Sequence, residues 1–119
     1  MGNNIETGKK GEGFAKAYLV SKSYNILNMN FRNYIGEIDI IAMDKDVLVF
    51  IEVKTRTNMK YGYPYEAVNY KKQQKIIYTS LAYVKQKNIR DIQLRYDIIE
   101  VYLTPSMKIN HIENAFCWE

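Results

Sequence analysis

Thiol and imidazole groups are nearly missing from this chain, which has one cysteine, Cys117, and one histidine, His111, among its 119 residues. A lone thiol excludes an internal disulfide and leaves too few sulfur ligands for a zinc cage; a lone imidazole excludes a paired-histidine metal site. Any chemistry must therefore run on carboxylates, amines, amides and hydroxyls. Long apolar runs are also lacking. The longest, Val47 to Ile51, is five residues and meets Glu52, far short of the roughly 18 that a membrane span needs, so no membrane partner is expected. The opening MGNNIETGKKGEG has no apolar stretch behind its charges, which predicts no secretory signal and a cytoplasmic location. With two prolines, six glycines, no repeat and no Pro/Gly/Ser linker, residues 1–119 read as one domain.

What is present fits a globular chain. At 14.0 kDa it has the size of one domain and should bury roughly two-thirds of the surface its unfolded form exposes. Hydrophobic residues make up 47% and charged residues 25%, which excludes wholesale disorder and collagen-like repetition. Seventeen Lys and Arg against 13 Asp and Glu give a formal charge of +4. A mild excess of this kind is compatible with a polyanionic partner without requiring one. The lysines gather in two segments, Lys9, Lys10, Lys16 and Lys22 early and Lys71, Lys72, Lys75, Lys85 and Lys87 later. The acids are scattered, and three fall inside apolar strand-like runs.

Hydrophobic spacing predicts a helix over about Thr7–Lys22, with Ala15, Tyr18 and Leu19 on its apolar side and Glu12 on or beside that side. Glycines near its start would admit a close approach by another element. Strands are predicted at Tyr24–Phe31, Glu37–Met43 and Val47–Thr55, the last two forming a hairpin through Asp44, Lys45 and Asp46. Asn69 can cap a helix to about Gln86 whose apolar side carries Ile77, Leu81 and Val84. Ile92–Leu103 reads as a central strand, and Met107–Ile112 as a short last one. Helix, three strands, helix and one or two strands make a mixed sheet flanked by helices, of the α/β or α+β class.

The hairpin carries the chemistry. Residues two apart on a strand project to one face, which groups Asp39 with Glu37 and Ile41, leaves Ile38, Ile40 and Ala42 on the other face, and groups Glu52 with Leu48, Phe50, Lys54 and Arg56. Antiparallel pairing could bring Asp39 opposite Glu52 and Lys54. Acids among apolar residues are costly unless paired or metal-bound. An isolated Glu-x-Lys is most often an ordinary ion pair at a sheet edge. The functional alternative makes Asp39 and Glu52 hard oxygen ligands for Mg²⁺, with Lys54 orienting or deprotonating a water or neutralising charge in a phosphoryl transition state.

These residues stand in a familiar series. TGKKGEGFAKAYL at the start, GEID at Gly36–Asp39, VFIEVKTR at Val49–Arg56, YGYP at Tyr61–Pro64, KKQQKI at Lys71–Ile76, RYDII at Arg95–Ile99 and the closing IENAF resemble the YraN family. That family comprises uncharacterised bacterial proteins predicted to be nucleases and distantly similar to archaeal Holliday junction resolvases. The resemblance implies the restriction-endonuclease-like PD-(D/E)xK fold, a mixed central sheet with a helix on each side. It also implies a Mg²⁺- or Mn²⁺-dependent endonuclease acting on nucleic acid, DNA rather than RNA. Carried over residue by residue, it makes Glu12 the helical acid completing a metal site with Asp39 and Glu52. Lys54 becomes the catalytic lysine and Gln73 a helical glutamine beside the site. By analogy with the resolvases, which cut two strands with two sites, a homodimer is expected.

The remaining candidates divide between binding and plain structure. Arg56 is as well suited to a salt bridge as to a phosphate. Lys71, Lys72 and Lys75 crowd the first turns of a helix, where positive charge opposes the macrodipole; they could bind phosphates, although a solvated face is the default. Lys9 and Lys10 could do the same on the first helix. Tyr61, Tyr63 and Tyr65 could stack on unpaired bases or simply pack on the domain. Glu37 is expected in a surface ion pair, Arg95 with Asp97 in another pair behind the site, and His111 in a structural role or exposed at the surface.

Overall fold

The computed structural model describes residues 4–57 and 68–118. Five strands form one sheet in the order β1-β2-β3-β4-β5, with β1 at Asn25–Arg32, β2 at Glu37–Asp44, β3 at Val47–Arg56, β4 at Gln93–Tyr102 and β5 at Lys108–Phe116. Neighbours are antiparallel except β3 and β4, which run parallel. Helix α2, Tyr70–Gln86, lies between those two in the chain and supplies the crossover that parallel neighbours require. Helix α1, Asn4–Ser21, precedes the sheet.

Each helix covers one face. Ala15 and Leu19 of α1 pack with Ile40, Ala42, Val49, Ile51, Ile99 and Val101. Ile76, Ile77 and Tyr83 of α2 pack with Ile38, Ile41, Leu48, Phe50, Tyr96 and Ile98. This sandwich matches the expected mixed sheet with a helix on each side. The β2–β3 hairpin turns through two residues, with Asp44 opposite Val47 and Lys45 in the left-handed region at φ 54. Asn69 caps α2 by accepting a hydrogen bond from the Lys72 backbone N–H at 2.9 Å, satisfying one of the helix's free donors.

Several expectations need correction. Leu81 is 40% exposed, and the buried side of α2 runs through Ile76, Ile77, Ser80 and Tyr83. Ser80 is admitted to that side because its hydroxyl is bonded to the Ile77 carbonyl and the Tyr96 hydroxyl, both at 2.6 Å. β4 is interior as expected, flanked by β3 and β5 and buried on both faces toward its end. β5 continues to Phe116, four residues beyond its expected end.

The alternation of β2 also fails at one place that matters. Ile40 and Ala42 face α1, yet Ile38 joins the α2 cluster together with Ile41. In β1 the same switch separates Met29, on the α1 side, from Phe31, on the α2 side. Asn30, between them, sits at φ 54. Both strands therefore twist sharply beside Asp39, and the paired positions of β2 and β3 run from Asp44–Val47 only to Ile40–Ile51.

α1 crosses β3 closely at Gly11. A Cβ there would fall inside the Thr55 side chain, deep within van der Waals contact. Glycine is required by that crossing, and the crossing sets how far α1 stands from the sheet.

Candidate functional site

Where β2 and β3 part, the Val53 N–H would lose a strand partner. The Asp39 carboxylate takes it instead, Oδ2 accepting at 2.8 Å. This bond fixes Asp39 against β3, and the Asp39 and Glu52 carboxyl groups are hydrogen-bonded to each other. Glu52 is 6% exposed. Burial, then the hydrogen bond and the negative charge of Asp39, push its carboxyl up to about 8, against the weaker opposing pull of Lys72 and Lys54. Like charge in a poorly solvated place thus disfavours ionisation of Glu52.

Two ammonium groups face this pair. Lys72 Nζ lies 3.5 Å from Glu52 Oε2 and Lys54 Nζ lies 3.9 Å from the same oxygen. Lys72 comes from the first turn of α2, so the capping of that helix by Asn69 also positions a site residue. Glu12 lines a hollow of about 520 Å³ together with Asp39, Glu37, Lys9, Arg32 and Asn30. Its carboxyl is raised by burial and by Asp39, while a hydrogen bond from Asn30 works the other way.

Among the described residues, no three His, Cys, Asp or Glu side chains converge into a group able to hold a metal ion. The expected set of three acids is present as the bonded Asp39–Glu52 pair with Glu12 in the adjoining hollow, where Asn30 engages it. Gln73 donates from Nε2 to the Val68 carbonyl at 3.0 Å and lines a hollow with Tyr70 and residues 114–117. Its described hydrogen bond thus goes to the loop before α2 and not to the acids.

The basic candidates separate. Lys9 lines the Glu12 hollow, and Lys10 and Lys71 are exposed. Lys75 and Lys72 line a second hollow of about 440 Å³ with Arg32, Asn33, Gly36 and Glu37. Lys72 is therefore more than a solvated surface residue. Arg56 is close enough to Glu100 to lower its carboxyl, although burial raises that group overall. Tyr61, Tyr63 and Tyr65 lie outside the described residues.

Sequence reasoning missed Asn30, Arg32 and Glu100. Glu100 is fully buried beside Lys54 in register, held by Asn110 Nδ2 at 2.7 Å and the Tyr102 hydroxyl at 3.3 Å. Its signal was available, an acid inside the apolar run Ile98–Tyr102, the same sign that exposed Glu52. Asn30 and Arg32 gave no comparable sign, since their importance comes from the twist of β1.

Arg95 and Asp97 do pair, at 2.9 and 3.0 Å, but on the α1 side of the sheet, opposite to the acid pair. His111 Nε2 meets Asp97 at 2.7 Å, the Asn114 N–H donates to Asp97 at 2.9 Å, and Tyr18 of α1 meets His111 Nδ1 at 3.0 Å. Burial alone would raise Asp97; the bonds from His111, Arg95 and Asn114 outweigh it and hold the carboxyl below its usual range. This network ties α1 to β4 and β5, and of its two expected roles His111 takes the structural one. The Glu37 ion pair is also as expected, with Arg32 Nε at 2.9 Å. Cys117 is exposed.

The fold and site define an α/β domain whose five-stranded mixed sheet, between two helices, opens at one strand junction to present a carboxyl pair and two lysines. The model of the uncharacterised protein family UPF0102 matches residues 11–101, and the chain belongs to this family, the YraN family of the sequence motifs. It is 49% identical over 118 residues to a UPF0102 protein of Caldanaerobacter subterraneus subsp. tengcongensis, covering 96% of this chain and 97% of that one. It is 50% identical over 114 residues to one from Clostridioides difficile, covering 96% and 99%. A Dictyoglomus turgidum UPF0102 protein is 41% identical over 117 residues, covering 96% and 99%. No described helix is long and apolar enough to cross a membrane.

Proposed function

We propose that this chain is a metal-dependent endonuclease that hydrolyses phosphodiester bonds in DNA, on the PD-(D/E)xK fold. The observation that carries the reading is the bonded, poorly solvated Asp39–Glu52 pair with Lys54 and Lys72 on it. A purely structural ion pair needs one acid and one base. Two acids forced together, one kept from ionising, form a place where a divalent cation can take over the proton's role.

The residues fit Mg²⁺ or Mn²⁺. Their donors are hard oxygens, and Mg²⁺ is commonly held by one or two carboxylates, with waters and substrate phosphate oxygens completing its shell. Asp39 and Glu52 would hold the ion, and Glu12 would face it from the adjoining hollow. When bound, such an ion polarises a phosphate and makes a water more acidic. The remaining work falls to the chain. Lys54 orients the attacking water and neutralises charge gathering on the phosphoryl oxygens. The Val53 N–H keeps Asp39 aimed at the pair. Lys72, Lys75, Lys9 and Arg32 bring phosphates to the two hollows, with Arg56, Lys10 and Lys71 as outlying contacts, giving a salt-sensitive grip independent of sequence. Resemblance to junction resolvases points to branched DNA, which two active sites in a homodimer would cut symmetrically.

Cleavage of single-stranded, duplex, flap and four-way-junction DNA with Mg²⁺ or Mn²⁺ tests the proposal. Glu52→Ala and Lys54→Ala should each lower the rate by about 10²-fold or more while circular dichroism stays native. Cutting at the wild-type rate in either variant would dismiss the site. Retained binding with no cutting by wild type on any substrate would make the domain a nucleic-acid-binding module.

A further inference from the structure

The β1–β2 turn, residues 33–36, forms a ridge at the site. Arg32 and Glu37, the residues that enter and leave it, line both hollows, the one with Glu12 and Asp39 and the one with Lys72 and Lys75. The turn borders both hollows, so a polyanionic strand bound in either lies beside it. At its tip Tyr34 is 94% exposed, among the least buried positions for a large aromatic ring.

The turn that carries Tyr34 is held firmly. Asn33 Oδ1 accepts from the Ile35 and Gly36 N–H groups at 2.9 and 3.1 Å, and the Asn33 N–H donates to the Gly36 carbonyl at 3.0 Å. Gly36 is seated on α2, where an added Cβ would stand 3.0 Å from Thr79 Oγ1 and 3.4 Å from Lys75 Cγ. The ring is thus presented from a braced support, so little ordering would be lost when it meets a flat partner. Arg32 is engaged by Glu37 in an exposed pair, a type worth little in water and easily exchanged for a phosphate.

We infer that this turn is a contact for unpaired bases: Tyr34 stacks on a base while Arg32 and Lys75 hold neighbouring phosphates. Base stacking on an aromatic ring tolerates any sequence but requires a base free of its duplex neighbours. The preferred substrate is therefore DNA with a single-stranded segment next to the cut, and this rests on the nuclease reading.

Fluorescence anisotropy with labelled single-stranded, flap and blunt duplex DNA, in EDTA so that nothing is cut, tests it. Tyr34→Ala should weaken single-stranded and flap binding by about fivefold to a hundredfold and leave blunt duplex within about twofold, while Tyr34→Phe keeps wild-type affinity. Arg32→Gln should weaken all three and shrink the salt dependence by about one phosphate contact. Unchanged binding by Tyr34→Ala, or equal loss on duplex and single strand, would overturn the inference. Metal-dependent cutting that needs Glu52 would then still stand as a separate result. Wild type that binds no DNA at all would sink both.

Discussion

Lys72, in the first turn of α2, reaches closer to Glu52 than Lys54 does, although Lys54 is only two residues from Glu52 on the same strand: 3.5 Å against 3.9 Å. Both cations lower a carboxyl that burial and Asp39 raise. Replacing Lys72 with Met removes the nearer charge and leaves the stem that packs beside the strand. The Glu52 titration, followed by carboxyl-carbon NMR in metal-free protein, is expected to have its midpoint near 8 in wild type and higher in Lys72→Met. An unmoved midpoint would mean that Lys72 contributes no field at Glu52.

The same shift makes stability depend on pH in a defined direction. The folded carboxyl is raised from 4.5 to about 8, so the folded state binds a proton that the unfolded state releases. Its contribution is fully present below about 4.5 and is lost as pH rises through about 8. In EDTA, Glu52→Gln should remove that loss. Unfolding free energies of wild type and variant from urea curves should diverge in the variant's favour between pH 5 and pH 9, by on the order of a few kcal/mol. Parallel pH profiles would show that Glu52 ionises freely in the folded protein.

Gly11 and Thr55 fix the distance between α1 and the sheet. Gly11→Ala places a methyl group against a β-branched side chain that has little room to turn, and the expected cost is about 1–3 kcal/mol in chemical denaturation. Thr55→Gly should recover much of it, so a double-mutant cycle should give a favourable coupling of about 0.5–3 kcal/mol. Additive effects would place the clash elsewhere.

Asp97 is fully buried and bound by Arg95, His111 and the Asn114 N–H. Asp97→Ala leaves Arg95 its Asp44 partner at 3.0 Å but removes the buried acceptor shared by Arg95, His111 and the Asn114 N–H, and should cost about 1–3 kcal/mol. Because the folded carboxyl is held below its ordinary 3.8, its stabilisation is present above that value and is lost as pH falls further. The destabilisation of Asp97→Ala relative to wild type, read from urea curves, should therefore shrink in strong acid.

Much of this was legible in the linear chain wherever the cause is local. A period of 3.6 marked α1 and α2, alternation marked the hairpin, and an Asx residue before a helix marked the cap at Asn69. The conspicuous acid Glu52 and its Lys54 partner follow from two-residue spacing, and the family motifs, in order, brought in Asp39 and Glu12. Alternation misassigned Ile38, because strand period assumes an even twist and the sharp turn at Asn30 and Asp39 breaks it. Helical spacing put Leu81 on the buried side of α2, where Ser80 is accepted because the Ile77 carbonyl and the Tyr96 hydroxyl satisfy its hydroxyl.

What the chain determined by itself is which groups are available: carboxylates and lysines, with a single thiol and a single imidazole beside them, on elements of the right kind and order. Tertiary structure alone decided which of them meet. Lys72 reaches Glu52 across 20 positions of sequence because a parallel neighbour forces a helical crossover over that face. Asp39 turns to Val53 because two paired strands separate there and an orphaned N–H must be satisfied. Such meetings depend on register and twist, which are set by the packing of the whole sheet and leave no periodic trace in the residues themselves.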